Sequence, residues 1–446
     1  MKTTKLLATL LFFLFIVSNC STDKAKKNEV DEVVSEEPTE PKEEQEETTK
    51  DDLVESEDIG SELIPNDLEP HPMQDIAKPA YLETITDPSF GTTIRRISDA
   101  GDGNIIKPMY STIQAWNADE SLLILYERGT GHQLLNGTDY SFIRYLDDIN
   151  PDDIEQIFWD FNDPNVFFYI DRATADFIKY NVGNKGKETL ANLKTLTNCA
   201  DNIGSGNDVQ MISWDSDVIG FRCDNTTAYY YRISTETVMQ FDIADIEYTA
   251  AMPSASGERF YHGQGVYNTN GKRVTELNEK KTEHSSLGRL VDGTDAHFSV
   301  SFDEGPQGGC LGNIIAHDLA TGECFPVISE SLGYDYPKTG THISAISHKN
   351  PGWVAASMIG FEEDGQALLD QELVLAKVEK GNVEIYRIGH HRADENEFDY
   401  WGEPHAVISP TGTRVLFGSD WSGDEDGKSV DTYVVELPAF TTPAEN

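Results

Sequence analysis

One short pattern recurs along the chain and restricts its fold more than any other feature. It is a polar or His residue, a short β-rich run, a turn built from Asp, Asn, Pro or Gly, and then an apolar strand. Copies begin at Gln114, Gln156, Gln210, near Thr249, and at His284, His342 and His405. The apolar strands that follow are read at residues 122–126, 166–170, 219–223, 260–261, 296–300, 353–358 and 414–417. The starts lie 42, 54, 39, 35, 58 and 63 residues apart. Four short strands with their loops fill about 40 to 45 residues in a propeller blade, and insertions lengthen single copies. Seven copies therefore predict an all-β, seven-bladed β-propeller over residues 75–446, with six or eight as the neighbouring counts because the fourth copy is weak. Residues 91–97 (GTTIRRI), ahead of the first copy, are expected to supply a strand that closes the ring near Tyr433 and Leu437, leaving no free sheet edge.

What precedes the repeats is of a different kind. Lys2 and Lys5 come before an apolar run at residues 6–17, too short to span a bilayer with ease, and then Val17-Ser18-Asn19-Cys20. Residues 1–19 read as a signal peptide. The cysteine after the apolar run resembles the lipobox of bacterial lipoproteins, with Cys20 as the lipidated first residue of the mature chain; the alternative is a secreted protein with an incidental cysteine. Residues 20–70 are expected to be a disordered acidic tether, since residues 29–58 hold fifteen Asp and Glu against two Lys and almost nothing that could form a core. The implied location is the outer membrane or cell surface, with contact to the membrane through the anchor only.

The chain carries a net charge of −44, most of it outside the tether, so the folded part is itself acidic. That excludes nucleic acid as a partner and demands a local cation at any site for an anionic substrate. A monomer is expected. Beyond Cys20 there are Cys199, Cys223, Cys310 and Cys324, an even number for an oxidising compartment. Pairing of near neighbours would staple local loops; the other two connectivities, or free thiols, stay open.

Innermost propeller strands line the channel, and their leading ends converge on one mouth. His284, His342 and His405 lead three successive copies, and Glu403 lies two residues before His405, on the same side of a strand. Imidazole and carboxylate together suit a divalent ion such as Mn, Zn or Ca; the alternative is a set of polar groups around a water-filled channel. Gln114, Gln156 and Gln210 lead the earlier copies and are candidate substrate contacts. Trp116, Trp159 and Trp214 fall inside innermost strands and are expected to pack between blades.

The stretch from Glu403 to Asp420 (EPHAVISPTGTRVLFGSD) resembles the last propeller motif of the oligogalacturonate lyase family, in which a His-Pro-His pair precedes a Ser-Pro turn and a strand ending in Ser-Asp. Thr341-His342-Ile343-Ser344 is similar to that family's Ser-His motif one blade earlier. The resemblance implies a channel metal that binds a uronate and assists β-elimination, with His342 and His405 at ligand positions. Glu403 stands where the family has its other histidine, and Tyr400 where it has a glutamine. A looser likeness is to propeller ulvan lyases of marine bacteria, in which His, Tyr and Arg act on a sulfated uronate polymer.

β-Elimination needs a base for the proton alpha to the carboxylate, a cation to offset that carboxylate, and an acid for the leaving group. His132, near Arg128 in a segment read as a loop, is a candidate base. Tyr140 and Tyr400 are candidate acids, His391 and Arg392 could bring a cation to the mouth, and Trp401 could stack on a sugar. The expected function is a carbon-oxygen lyase acting on acidic poly- or oligosaccharide. A dehydratase removing water from a terminal uronate and a non-enzymatic glycan- or protein-binding propeller are the alternatives.

Overall fold

A computed structural model describes residues 58–441 apart from 207–208, 225, 244–249, 278, 305–309, 335–340, 361–363, 395–397 and 423–426, and apart from the side chains of 279–283 and 302–304. The signal peptide, Cys20, most of the tether and Thr249 lie outside the described residues.

Seven antiparallel sheets follow one another along the chain, six of four strands and one of five, and together they form a seven-bladed β-propeller. The innermost strands of blades 1 to 7 are Ile106–Lys107, Phe158–Trp159, Ile203–Gly204, Met252–Pro253, Glu279–Arg289, Thr341–Ser344 and Val407–Ile408. Next to them run Leu122–Glu127, Val166–Ile170, Val218–Cys223, Arg259–His262, Asp295–Glu304, Trp353–Met358 and Arg414–Ser419. These are the apolar strands of the repeat. Buried at their centres, they read in the sequence as near-continuous apolar runs, VFFYI in blade 2 being the plainest.

The ring closes as its first strand implies. Thr93–Arg96 pairs with Asp431–Glu436, with Thr93 opposite Glu436 and Arg96 opposite Tyr433, and Thr84–Thr86 adds a fifth strand outside it. Closure joins residues more than 330 apart in the chain, so blade 7 cannot be completed until both ends are present. A buried ion pair secures the seam between blades 7 and 1: Arg414 Nη2 lies 2.6 Å from Glu120 Oε2, while Nη1 donates to the Gly137 carbonyl at 2.5 Å.

Between blades the contacts are apolar with a few indole anchors. Trp116 and Trp159 are fully buried. Trp159 donates from Nε1 to the Ala115 carbonyl at 3.0 Å, tying blade 2 to blade 1, and Trp116 donates to Gly137 at 3.2 Å. The cysteines join as near neighbours, Cys199 to Cys223 and Cys310 to Cys324.

The tether expectation needs correction at its C-terminal end. Residues 58–70 are packed on the propeller. Ile59 is buried in the core shared by blades 6, 7 and 1. Asn66 donates its N–H to the Ile385 carbonyl at 2.7 Å and accepts from the Ile385 N–H through its side chain at 2.9 Å. Pro65 bridges Tyr386, and Arg387, paired with Glu372 at 2.5 Å, donates to the Glu69 carbonyl at 2.5 Å. The segment covers the outer edge of Asn382–His390, which would otherwise present open backbone groups to solvent. Among the described residues, no helix is long and apolar enough to cross a membrane.

Candidate metal centre

The last three blades bring three imidazoles into one arc. Ring centroids are 4.6 Å apart for His284 and His342 and 4.5 Å apart for His342 and His405. Each histidine reaches the channel differently. His342 is the second residue of its strand. His284 sits at a break in register between Glu283 and Ser286, a bulge of the kind that re-aims side chains next to functional sites. His405 precedes its strand by two residues. His284 and His405 have φ of 49° and 43°, a left-handed region that non-glycine residues seldom occupy at a cost of about 1–3 kcal/mol each. Such strain concentrates where the surrounding structure has a use for it.

Glu403 completes the group. Its Oε2 lies 2.8 Å from His405 Nε2 and 3.2 Å from His342 Nε2. One ligand atom from each of His342, Glu403 and His405 falls within 4.8 Å of the others. Neither nitrogen of His342 has a hydrogen-bond partner, the approach to Glu403 being off the angle of a hydrogen bond, and His405 Nδ1 has none either. Burial pushes His342 down to about 3, helped by the nearby Lys107 ammonium, and holds His405 well below its ordinary value. Both are therefore neutral, with lone pairs directed into a buried space, and a buried polar atom without a partner is costly. Glu403 is pushed up by burial, against the pull of Lys107 and His284. A divalent ion fits this donor set: two imidazoles and a carboxylate suit Mn or Zn, and coordination would give one of the two unpartnered His342 nitrogens a ligand role. His284 lies outside that trio. It is half-buried, and its Nδ1 is 3.3 Å from Tyr110 OH.

Two residues of the short helix Asp399–Gly402 close over the arc. The Tyr400 ring stands edge-on to His405 at 4.9 Å, and its hydroxyl donates to both oxygens of Glu155 at 2.9 Å. Trp401, half-buried, stacks on Tyr126 at 5.8 Å.

Other expected site residues are placed elsewhere. His132 is on the strand Gly131–Asn136, not in a loop; its Nε2 is 2.6 Å from the Ile154 carbonyl, and burial pushes it down to about 4. Arg128 is exposed on the hairpin turn before that strand. Tyr140 is buried in the seam between blades 1 and 7, toward the end opposite the histidine arc, where it donates to Glu436 and accepts from Arg414, both at 3.1 Å. That end is identified by register: Arg414 is level with Ser409, beyond Val407–Ile408, whereas Gly418 is level with Pro404, beside His405. His391 uses both nitrogens on backbone, at Met358 (3.1 Å) and Ala393 (3.0 Å). Arg392 is buried against Asp87 at 3.1 Å and over the Trp421 ring at 5.1 Å.

The three glutamines also do structural work. Gln114 donates to the carbonyls of Ile346 and Ile408 at 3.2 and 3.1 Å, at the far end of the channel. Gln156 donates to Gly206 and accepts from Ser205, joining blades 2 and 3, and Gln210 turns to the Ile212 carbonyl at 3.5 Å. The physical reason is common to all three. In blades 1 to 3 the innermost strand comes in two pieces: Ile106–Lys107 is followed by a separate bridge at Trp116, a bridge at Pro151 precedes Phe158–Trp159, and Ile203–Gly204 is followed by a bridge at Ile212. Each glutamine belongs to the irregular stretch between the pieces. In blade 1 the residues that reach the histidine arc are Lys107 and Tyr110, which the repeat pattern did not single out. Tyr110 touches all three imidazoles, with ring distances of 5.7 Å to His342 and 4.6 Å to His405. The only sequence signal for them is the short apolar step Ile105-Ile106 before Lys107.

The burial of so many imidazoles predicts acid sensitivity. His132, His317, His348 and His391 are pushed down to about 4 and His390 to about 3, in each case chiefly by burial. Their ordinary value is 6.5, so the unfolded chain binds protons first. The stability they contribute is complete above about pH 6.5 and is lost as pH falls toward 4, at about 1.4 kcal/mol per unit and group. Asp420, pushed up to about 7 by burial, works in the opposite direction. A urea midpoint that drops steeply from pH 6.5 to 4.5 is expected; a flat profile would show that these imidazoles are not buried neutral.

No family profile matches the chain, and no curated protein matches it. Solved structures do. An oligogalacturonate lyase in complex with manganese matches with a TM-score of 0.56 and 14% identity, over 80% of this chain and 96% of that one. An oligogalacturonate lyase from Vibrio parahaemolyticus matches with a TM-score of 0.55 and 15% identity, over 80% and 96%. The likeness extends over nearly the whole of both neighbours, and at these identities it establishes the propeller fold that this chain shares with them.

Proposed function

We propose that this protein is a carbon-oxygen lyase that performs β-elimination on uronic-acid-containing poly- or oligosaccharide, using a divalent ion held by His342, Glu403 and His405. The observation that carries this reading is the set of neutral, unpartnered imidazole nitrogens beside a carboxylate in the channel. The manganese of one structural neighbour, and the oligogalacturonate lyase names of both, support it. The bound ion would offset the charge of the substrate carboxylate as negative charge moves onto it.

The remaining chemistry falls to the chain's own residues. His284 is outside the ligand trio and half-buried beside Tyr110, and as a neutral imidazole it would take the proton alpha to the carboxylate through its deprotonated ring nitrogen. Tyr110 brings its hydroxyl to the arc and would protonate the leaving oxygen, and Tyr400, whose hydroxyl is given to Glu155, would do so only by releasing that carboxylate. Trp401 offers its half-buried ring to a neighbouring sugar. Glycosidic cleavage and loss of water from a terminal uronate differ only in the leaving group. Mass spectrometry of products from a panel of plant and algal uronate oligosaccharides separates them: shortened, unsaturated chains mean a lyase, and full-length chains lacking one water mean a dehydratase. Unaltered substrates across the panel would argue for a binding propeller. The lipid anchor at Cys20 and a location at the outer membrane or cell surface complete the proposal.

A further inference from the structure

Lys107 has no exposed surface. It ends the first piece of the innermost strand of blade 1, opposite Tyr126. Its Nζ donates to the Glu403 carbonyl at 2.9 Å and to the Tyr400 carbonyl at 3.4 Å. Those carbonyls belong to the C-terminal end of Asp399–Gly402, where partial negative charge gathers, and the Glu403 N–H closes that turn onto Tyr400 at 3.3 Å. The amine also lies 5.3 Å from the Tyr400 ring and 6.0 Å from the Trp401 ring.

Blade 7 leaves room for this lysine. A Cβ built on Gly418 would lie 3.4 Å from Lys107 Cβ, 3.7 Å from its Cε and 3.7 Å from the Glu403 carbonyl oxygen, so any side chain larger than alanine would enter the path of the lysine stem. Burying an ammonium costs several kcal/mol unless its neighbours compensate. Part of the compensation comes from the backbone of the segment that carries Glu403. With φ −62° and ψ 139°, Glu403 is an extended residue just past the turn, and the direction of its carboxylate follows from how that turn is held.

We propose that Lys107 is the positioning residue of the metal centre: clamped across the seam between blades 1 and 7, it pins the turn that delivers Glu403 to His342 and His405 and thereby sets affinity for a divalent cation. This rests on the metal reading above. Residues that orient metal ligands without touching the ion change affinity by roughly 10- to 100-fold when altered.

The test is calorimetric titration of Mn2+ into the metal-stripped full chain for wild type, Lys107→Met and Lys107→Arg, with a thermal melt of each. Lys107→Met keeps the stem and removes the donor and charge; it should bind Mn2+ roughly 10- to 100-fold more weakly, and Lys107→Arg should recover most of the loss. If Lys107→Met does not fold, Lys107→Leu is read in its place. A folded variant with an unchanged binding constant overturns the proposal while leaving the metal reading intact. A wild-type chain that takes up no Mn2+ overturns the metal reading, and this proposal with it.

Discussion

Replacing His405 by Ala is expected to lower elimination by at least about 100-fold, since electrostatic stabilisation of a developing oxyanion is commonly worth about 3 kcal/mol, and to leave the chain folded. His405 Nδ1 has no hydrogen-bond partner, so the fold does not depend on that atom. Its Nε2 contact is with Glu403, another member of the centre. The replaced ring is fully buried, so a small packing loss is expected, but one offset by removal of an unsatisfied buried nitrogen. Rates of double-bond formation and a thermal melt, measured on the same preparation, check the two halves of this expectation. Wild-type activity in a folded His405→Ala protein would remove His405 from the mechanism. His132→Ala provides the contrast: its ring packs against Tyr126 at 5.3 Å and its Nε2 is engaged by the Ile154 carbonyl, so it should cost stability and spare the rate of the protein that remains folded.

The largest effect on stability is expected at the far end of the channel. Glu120→Ala would leave the Arg414 guanidinium buried without its counter-charge and would free the Thr411 N–H that now donates to Glu120 Oε1 at 2.6 Å. Removing one partner of a buried pair typically costs about 3–5 kcal/mol. Because this pair bridges blades 1 and 7, the loss falls on ring closure. Arg414 would keep its stacking over Trp116 at 4.9 Å, and the double variant Glu120→Ala with Arg414→Met should regain part of the loss. Urea melts of the three proteins measure it, and a single variant as stable as wild type would show that the pair is solvated.

The blades were legible in the sequence because each contributes one strand with a buried apolar centre after a polar turn, and such runs announce themselves by apolar continuity. Residues 166–170 and 353–358 were bounded to the residue. The closing strand was legible for a related reason: an apolar β-rich segment ahead of the first repeat has no other partner. What the pattern could not supply was register inside the channel. Where the innermost strand is continuous, as at His342, the leading residue of the repeat does reach the arc. Where it is interrupted, as at Gln114, the same position falls at the opposite end, and Lys107, four residues after Gly103 in a glycine-rich stretch without repeat character, takes its place.

The packed arm at residues 58–70 was missed for another reason. Its attachment to blade 6 runs largely through backbone groups, at Asn66, Asp67 and Glu69, and composition carries little information about backbone pairing. Tyr140 and Arg392 show a third limit: residue types that serve chemistry also serve as buried struts, and only their partners tell the two uses apart.

The most direct test is a single time course. Metal-stripped protein is mixed with the uronate oligosaccharide that the product panel identifies as substrate, the near-ultraviolet absorbance of the unsaturated uronate is followed, and Mn2+ is then added. The account predicts no rise before the addition, a steady rise after it, and a return to baseline rate with excess chelator. A rise that is equally fast in the stripped protein would contradict it.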